Sequence, residues 1–457
     1  MTHAERLAAF VLRASYDVLS ETARQQMKIR VLDALGCAIG ALEGDPVRMV
    51  RAHTHEFGGV GQCTLIGGDR TAPDRAAFYN GFLVRYLDFN DSYLAPRETC
   101  HPSDNLSAVL AAAEPARRTG PEFLTALAVA YQVQCRLSDV APVRAKGFDH
   151  TTQGAYAVAA GVSKALGLDQ AKTANAIAIS GTAFNALRVT RTGALSHWKA
   201  LAYPNTAFGA THATFLAARG ITGPSQVFEG NKGFMEAIAG RFELDWEHED
   251  LERVTQTIVK RYNAEIHSQA TLEGVLEMRQ AHQFRPEEIA RIEIETFDVA
   301  FHIIGGGEEG DKTLIRTKEE ADHSLPFMVA VAILDGQVLP DQYRPERIRR
   351  EDVQRLLRKV TVRPVEEFSH QFPARMPCRI RIELHDGRTF TKEKQDYEGF
   401  HTRPMGWTTV VEKFDRLSAP YADASVRRAI VDAVGNLERL RVADLINALA
   451  QVPAPVA

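Results

Sequence analysis

Residues 155–167 read AYAVAAGVSKALG. Ala, Val and Leu recur at helical spacing, and the many small residues let helix axes approach closely, so the stretch predicts one helix of a dense bundle. Working outward, residues 105–118, 121–138, 151–166 and 206–219 carry the same pattern, punctuated by turn elements such as Gly223-Pro224 and Pro204-Asn205. The texture changes after about residue 270. IARIEIETF (289–297) and KVTVRPV (359–365) alternate apolar and polar residues, the period of a strand. CRIRIELHDGRTFTKEKQ (378–395) predicts a hairpin, with Ile380, Ile382 and Leu384 on one face and Asp386-Gly387 as the turn. Helical segments lie between these strands near 267–283, 321–335 and 351–358, and the helical pattern returns from 407 to Ala450. The expected architecture is mainly α. A large all-helical domain is made by both chain ends, residues 1–266 and 405–457. A smaller α+β domain, residues 267–404, is inserted in it.

Composition bounds the function. The 457 residues are 45% hydrophobic and 25% charged, the balance of a soluble globular protein rather than a disordered or collagen-like one. Lys and Arg number 54 against 58 Asp and Glu, so there is no basic excess to suggest a nucleic-acid partner. Charges break every apolar run near the N-terminus, and no run reaches the roughly 18 residues a membrane span needs, so a cytoplasmic protein is expected. The five cysteines include no C-x-x-C pair, which argues against a disulfide framework, structural zinc or an iron–sulfur cluster. No metal or other cofactor is expected. The run Gly305 to Gly310 fails as a phosphate loop because Asp311 separates the last glycine from Lys312; an acidic loop is expected instead.

Five polar segments are candidates for chemistry. RYLDFNDSYLAPRETCHPSDN (85–105) gathers Asp88, Asp91, Ser92, His101 and Asp104, and Pro96 and Pro102 stop a helix from running through it. Its bland reading is a surface loop with Ser103 or Asp104 capping the next helix. KGFDHTTQGAYA (146–157) places His150 at a helix entry, with Asp149 and Thr151 as N-cap candidates and a start that favours an anion. RVTRTGALSHWKALAYPN (188–205) brings Arg188, Arg191, His197 and Lys199 together, a set suited to a polycarboxylate, though a lone lysine is usually solvated surface. KRYNAEIHSQA (260–270) offers Lys260, Glu265 and His267 at the predicted domain seam. ADHSLPFMVA (321–330) holds His323, which by itself reads as a capping or core histidine.

Taken together and in this order, LDFNDSYL, HPSDN, HWKALAYPN, KRYNAEIHSQ and DHSLPF resemble the MmgE/PrpD family, the 2-methylcitrate dehydratase and cis-aconitate decarboxylase group. The resemblance covers nearly the whole chain, and the ETCHPSDN and NAEIHSQ forms lean towards the 2-methylcitrate dehydratase branch. It implies an all-helical domain with a smaller α+β lid, a homodimer, and a small tricarboxylate as substrate. It also implies site roles for Asp88, Ser92 (where Thr is common), His101, His150, Lys199 and Lys260, with His267 the candidate for a further site histidine. Many members carry Tyr where this chain has Phe327, which removes a phenolic donor.

The implied chemistry is loss of a proton α to a carboxylate and of a β-hydroxyl, without a metal. Lys199 and Lys260 are expected to hold carboxylates. His101, oriented by Asp88 or Asp91, is expected to be the leading acid–base group and His150 the second acid–base group or a carboxylate donor. Ser92, Arg188, His267 and His323 are expected to bind substrate. The same groups suit decarboxylation of cis-aconitate or epimerisation beside a carboxylate. A non-catalytic carboxylate binder would need the lysines but not the paired acid–base groups.

Overall fold

The computed structural model describes residues 1–192, 195–308 and 310–454. The chain forms two compact units. The first comprises Met1–Arg191, Trp198–Ile258 and Gly406–Ala457, and the second comprises Thr192–His197 and Val259–Met405.

The first unit is a helical bundle centred on Gly120–Val140 and Thr151–Leu166, both buried along most of their length. Their ends follow from local sequence. Thr119 and Glu122 form a capping box at the start of the first. Gly167, at φ +73°, closes the second in a left-handed turn that a side chain would strain. Small residues set the spacing: a Cβ on Gly154 would lie 2.5 Å from the Tyr203 ring. The C-terminal return packs helix Trp407–Ser418 against Glu21–Gly40, where Gly36 and Gly40 let Phe414 and Leu417 come close. Both chain ends therefore share one apolar core.

Two expectations for this unit are corrected. It is not purely helical, because Cys63–Thr64 pairs with Arg70–Thr71 and Tyr93–Ala95 pairs with Glu98–Cys100 in two short antiparallel ribbons. Strands of two or three residues are too short to show a period. Pro204-Asn205 is not a break either, since helix Trp198–Ala218 runs through it. Its first turns carry Lys199 and Tyr203, which the pattern alone leaves outside a helix. All five cysteines are buried thiols. No helix among the described residues is long and apolar enough to cross a membrane.

The second unit holds a four-stranded mixed sheet. Ile289–Thr296 pairs parallel with Val360–Pro364 and antiparallel with Cys378–Leu384, which pairs in turn with the edge strand Thr389–Lys394. Ile380, Ile382 and Leu384 are buried on one face, as their alternation requires. The edge strand carries Lys392, Glu393 and Lys394, charges that discourage further pairing. Helices Gln269–His282 and Leu325–Asp335 pack against one another and against the sheet. Residues 259–266, which the pattern alone leaves with the helical domain, group with this unit through backbone bonds. The N–H groups of Val259, Asn263 and Glu265 donate to the carbonyls of Gly399, Val338 and Asp322. The expected acidic loop follows a π-type turn, Phe301–Gly305, and its residue Glu309 lies outside the described residues.

Candidate functional site

The segment from Arg85 to Asn105 is a shaped loop fixed residue by residue. Asp88 adopts φ +53°, a left-handed conformation that Asp tolerates better than most side chains. Its carboxylate lies 2.6 Å from Arg85 Nη1 and 3.2 Å from Lys199 Nζ. Arg85 Nε lies 3.7 Å from Asp104 Oδ2. Asn90 Nδ2 donates to Ser103 Oγ at 2.9 Å and to Asp104 Oδ1 at 2.8 Å. Ser92 pairs with Ile258 through reciprocal backbone bonds. Neither Ser103 nor Asp104 caps the following helix, whose N-cap Asn105 makes no side-chain cap bond. Burial raises the Asp104 carboxyl to about 7 against the pull of Arg85.

His101 is oriented by a backbone group. Its Nδ1 lies 2.8 Å from the Asp91 carbonyl oxygen and 3.1 Å from Ser92 Oγ. The Asp91 carboxylate, expected as a possible orienter, turns the other way: Oδ1 accepts from Ser103 N–H and Oδ2 from the Tyr131 hydroxyl, both at 2.9 Å. Burial pushes that carboxyl up. A carbonyl oxygen can only accept, so in neutral His101 the proton is on Nδ1 and the lone pair on Nε2.

His150 faces His101 in a T-shaped arrangement with ring centroids 5.5 Å apart, and it stacks on Tyr203. Its Nδ1 lies 3.3 Å from Asp149 Oδ1, and its buried Nε2 has no hydrogen-bond partner among the described residues. Burial lowers the ring to about 3, so it is neutral at neutral pH. Asp149 also receives the Thr151 N–H at 3.2 Å, close to the capping role its position suggests. Burial alone would raise its carboxyl, but Arg191 outweighs that and holds it well below the usual range. Arg191 donates through Nε to Asp149 at 2.9 Å and through Nη1 to the Lys199 carbonyl at 2.8 Å. One guanidinium thus ties the support of His150 to the start of the Lys199 helix. Arg188 lies further off, 3.9 Å from Asp149, and His197 is exposed. Gly193 and Ala194 of this segment lie outside the described residues.

The first unit therefore gathers Asp88, Asp91, Ser92, His101, His150, Arg188 and Lys199. Lys260, His267 and His323 belong to the second unit. There, Glu265 accepts from His267 N–H and lies by its Nδ1, both at 2.7 Å. Burial would raise Glu265, but His267, with further contributions from His323 and Lys260, holds it at about 2. The Nε2 of His267 is buried without a hydrogen-bond partner among the described residues, and its ring packs by Phe297 and Phe372. His323 Nδ1 lies 2.7 Å from Asp322 Oδ1, and Ser324, not His323, caps the following helix. Phe327 is fully buried beside Tyr343, whose hydroxyl donates to the Asn263 carbonyl.

Several residues that shape the site carry no sequence signal. Tyr131, which donates to Asp91, lies within an apolar helix, and Lys413, which donates to the Phe89 carbonyl of the loop, lies within an amphipathic one. Arg85 was readable in principle, because it ends a helix three residues before Asp88.

Residues 5–247 match the family model described as the MmgE/PrpD N-terminal domain, and residues 262–439 that of the MmgE/PrpD C-terminal domain. The chain is 24% identical to cis-aconitate decarboxylase of Mus musculus, across 98% of this chain and 93% of the relative. It is 26% identical to 2-methylcitrate dehydratase of Salmonella typhimurium, across 94% and 92% respectively. It is 27% identical to an alkylcitrate dehydratase of a fungal species, across 95% and 91%.

Proposed function

The chain belongs to the MmgE/PrpD family, and on that premise we propose that it is a lyase that dehydrates a tricarboxylate by acid–base β-elimination. The substrate we favour is 2-methylcitrate, giving 2-methyl-cis-aconitate, with citrate as a related substrate. The observation that carries this reading is the pair of facing imidazoles, His101 and His150, in the same compact unit as the Lys199 ammonium, which pairs with Asp88. A binder needs the cation but not two opposed proton carriers.

Elimination breaks a C–H bond α to a carboxylate and a C–O bond at the neighbouring carbon. His150, neutral with its lone pair on Nε2, takes the α proton, a step for which the carboxylates of the bound substrate raise its basicity above the low value set by burial and the nearby arginines. The other expected role of His150, as a carboxylate donor, would need the protonated ring, which burial disfavours. His101 in its protonated form gives a proton to the departing hydroxyl, which leaves as water. The electron pair of the broken C–H bond becomes the new double bond, and the charge that builds on the carboxylate is stabilised by Lys199. Lys260 is proposed as a second carboxylate ligand, and Arg188, Ser92, His267 and His323 as substrate-binding groups. A homodimer is proposed from the resemblance.

The same groups suit decarboxylation of cis-aconitate, and the relative from Mus musculus bears that name. Proton NMR of chelator-treated protein in deuterium oxide separates the readings. A new methyl-alkene signal from 2-methylcitrate is the expected result. Itaconate from cis-aconitate would make it a decarboxylase, and deuterium uptake without loss of substrate an epimerase. Silence across 2-methylcitrate, citrate and cis-aconitate would overturn the proposal.

A further inference from the structure

Lys413 and Asp33 have no chemical role of their own, yet they form a buried ion pair against the Asp88–Ser92 loop. Lys413 Nζ is 2.6 Å from Asp33 Oδ1, and the two side chains are 6% and 0% exposed. The same ammonium donates to the Phe89 carbonyl at 2.8 Å and lies 3.7 Å from the centroid of the Phe89 ring. We infer that this pair is a positioning device, which holds the loop so that Asp88 meets Lys199 and the Asp91 carbonyl meets His101.

The geometry runs through consecutive peptides. Asp88 is in the left-handed region, so the peptide planes that follow it need a fixed orientation. Lys413 fixes the Phe89 carbonyl. One residue before it, the Asp88 carboxylate meets Lys199; two residues after it, the Asp91 carbonyl receives His101 Nδ1. Arg30, one helical turn before Asp33, holds the other end of the loop. It donates to Thr257 Oγ1 and to the Thr257 carbonyl, next to Ile258, which pairs with Ser92. One face of helix Glu21–Gly40 thus secures both ends.

Stability alone does not account for the charges. Replacing a buried ion pair by apolar residues of similar volume is often neutral or stabilising. The two helices that carry the pair already meet through close apolar contacts at Gly36 with Phe414 and Gly40 with Leu417. An apolar filling there would pack, but it could not hold a carbonyl oxygen.

The test compares Lys413→Met with the double variant Asp33→Leu/Lys413→Met. The single variant strands Asp33 and should lose both thermal stability and turnover. The double variant should regain most of the wild-type Tm. Its kcat on 2-methylcitrate should stay down about ten- to a hundred-fold, with KM nearly unchanged, as expected of misplaced catalytic groups. A second readout does not depend on the proposed activity. In protein labelled at the histidine Cε1, the His101 resonance, assigned with His101→Gln, should shift in the double variant. If wild-type protein turns over none of the substrates, the functional reading fails, and the His101 resonance still decides this one. A double variant with wild-type Tm, kcat and His101 resonance would overturn the inference. Should the double variant not fold, Lys413→Arg decides. It keeps a cation and a donor, so it should hold the His101 resonance in place, and displacement of that resonance in folded Lys413→Arg protein would equally overturn it.

Discussion

The Nδ1 of His101 lies 2.8 Å from the carbonyl oxygen of Asp91, and this contact sets the proton of the neutral imidazole on Nδ1. Ser92 Oγ, at 3.1 Å, adds to it but is not required for it. His101→Gln is therefore expected to lower kcat by about 10²–10⁴-fold, the usual worth of a general acid–base group. Circular dichroism and Tm should stay near wild type. Ser92→Ala should cost under about tenfold, because the carbonyl still sets the tautomer. Steady-state kinetics of the two variants side by side checks the ordering, and an equal loss in both would place the orienting role on Ser92.

Asp149 acts on the other imidazole. Held ionised by Arg191, it places Oδ1 3.3 Å from His150 Nδ1, which favours the proton on Nδ1 and leaves Nε2 as the acceptor. Asp149→Asn can present an amide donor to Nδ1 and so reverse the tautomer. A loss in kcat of about 10²–10⁴-fold is expected, by analogy with a carboxylate-to-amide change behind a catalytic histidine. The ¹⁵N shifts of His150 report the tautomer directly. A variant with unchanged shifts but lost activity would mean that Asp149 acts by some other route.

How far these contacts could be read from sequence depends on their range along the chain. The 378–395 hairpin was legible because alternation and a turn dipeptide are local properties. The loop around His101 was legible as a loop from Pro96 and Pro102, but its three-residue strands were too short to carry a period. His101, His150 and Lys199 stood out by motif, whereas the groups that orient them did not. Asp149 read as a helix cap, and the Asp91 carbonyl is backbone, which sequence cannot flag. Lys413 meets Phe89 across 324 positions, and nothing local marks it. Chemistry-bearing residues leave local patterns; the long-range contacts that aim them appear only after folding.

Asp104 and His150 give stability opposite pH dependences. Asp104 has a folded pKa near 7 against 3.8 for a free carboxyl, so the native state holds its proton more tightly. That stabilisation is complete below about 4 and is lost as pH rises through 7. His150, lowered to about 3 from 6.5, stabilises the native state least in acid, where the unfolded ring takes up a proton first. Asp104→Asn should therefore gain on wild type in Tm between pH 5 and pH 8. His150→Gln should gain on wild type between pH 7 and pH 4. Thermal melts across pH check both, and parallel curves for Asp104→Asn and wild type would show that Asp104 does not titrate in this range.

Lys199 is paired with a carboxylate before any proposed substrate binds. Its Nζ is 3.2 Å from Asp88 Oδ2, and Asp88 is also 2.6 Å from Arg85. An incoming carboxylate must share the ammonium rather than claim it whole. Lys199→Met should cut kcat/KM by about 10²–10³-fold, since it removes the charge that stabilises the developing anion. Asp88→Asn probes the same pair from the other side, and Asn suits the left-handed backbone at φ +53° better than Ala. It leaves Arg85 and Lys199 less compensated, at a stability cost of about 3–5 kcal/mol if no other group responds. A tricarboxylate inhibitor should then bind at least as tightly as to wild type while kcat falls, because the cations survive but the aim of Lys199 is lost. Calorimetric titration with a non-reacting tricarboxylate such as tricarballylate, run beside kinetics, separates the two effects. Weaker binding in Asp88→Asn would mean that Asp88 contacts the substrate itself rather than holding Lys199 for it.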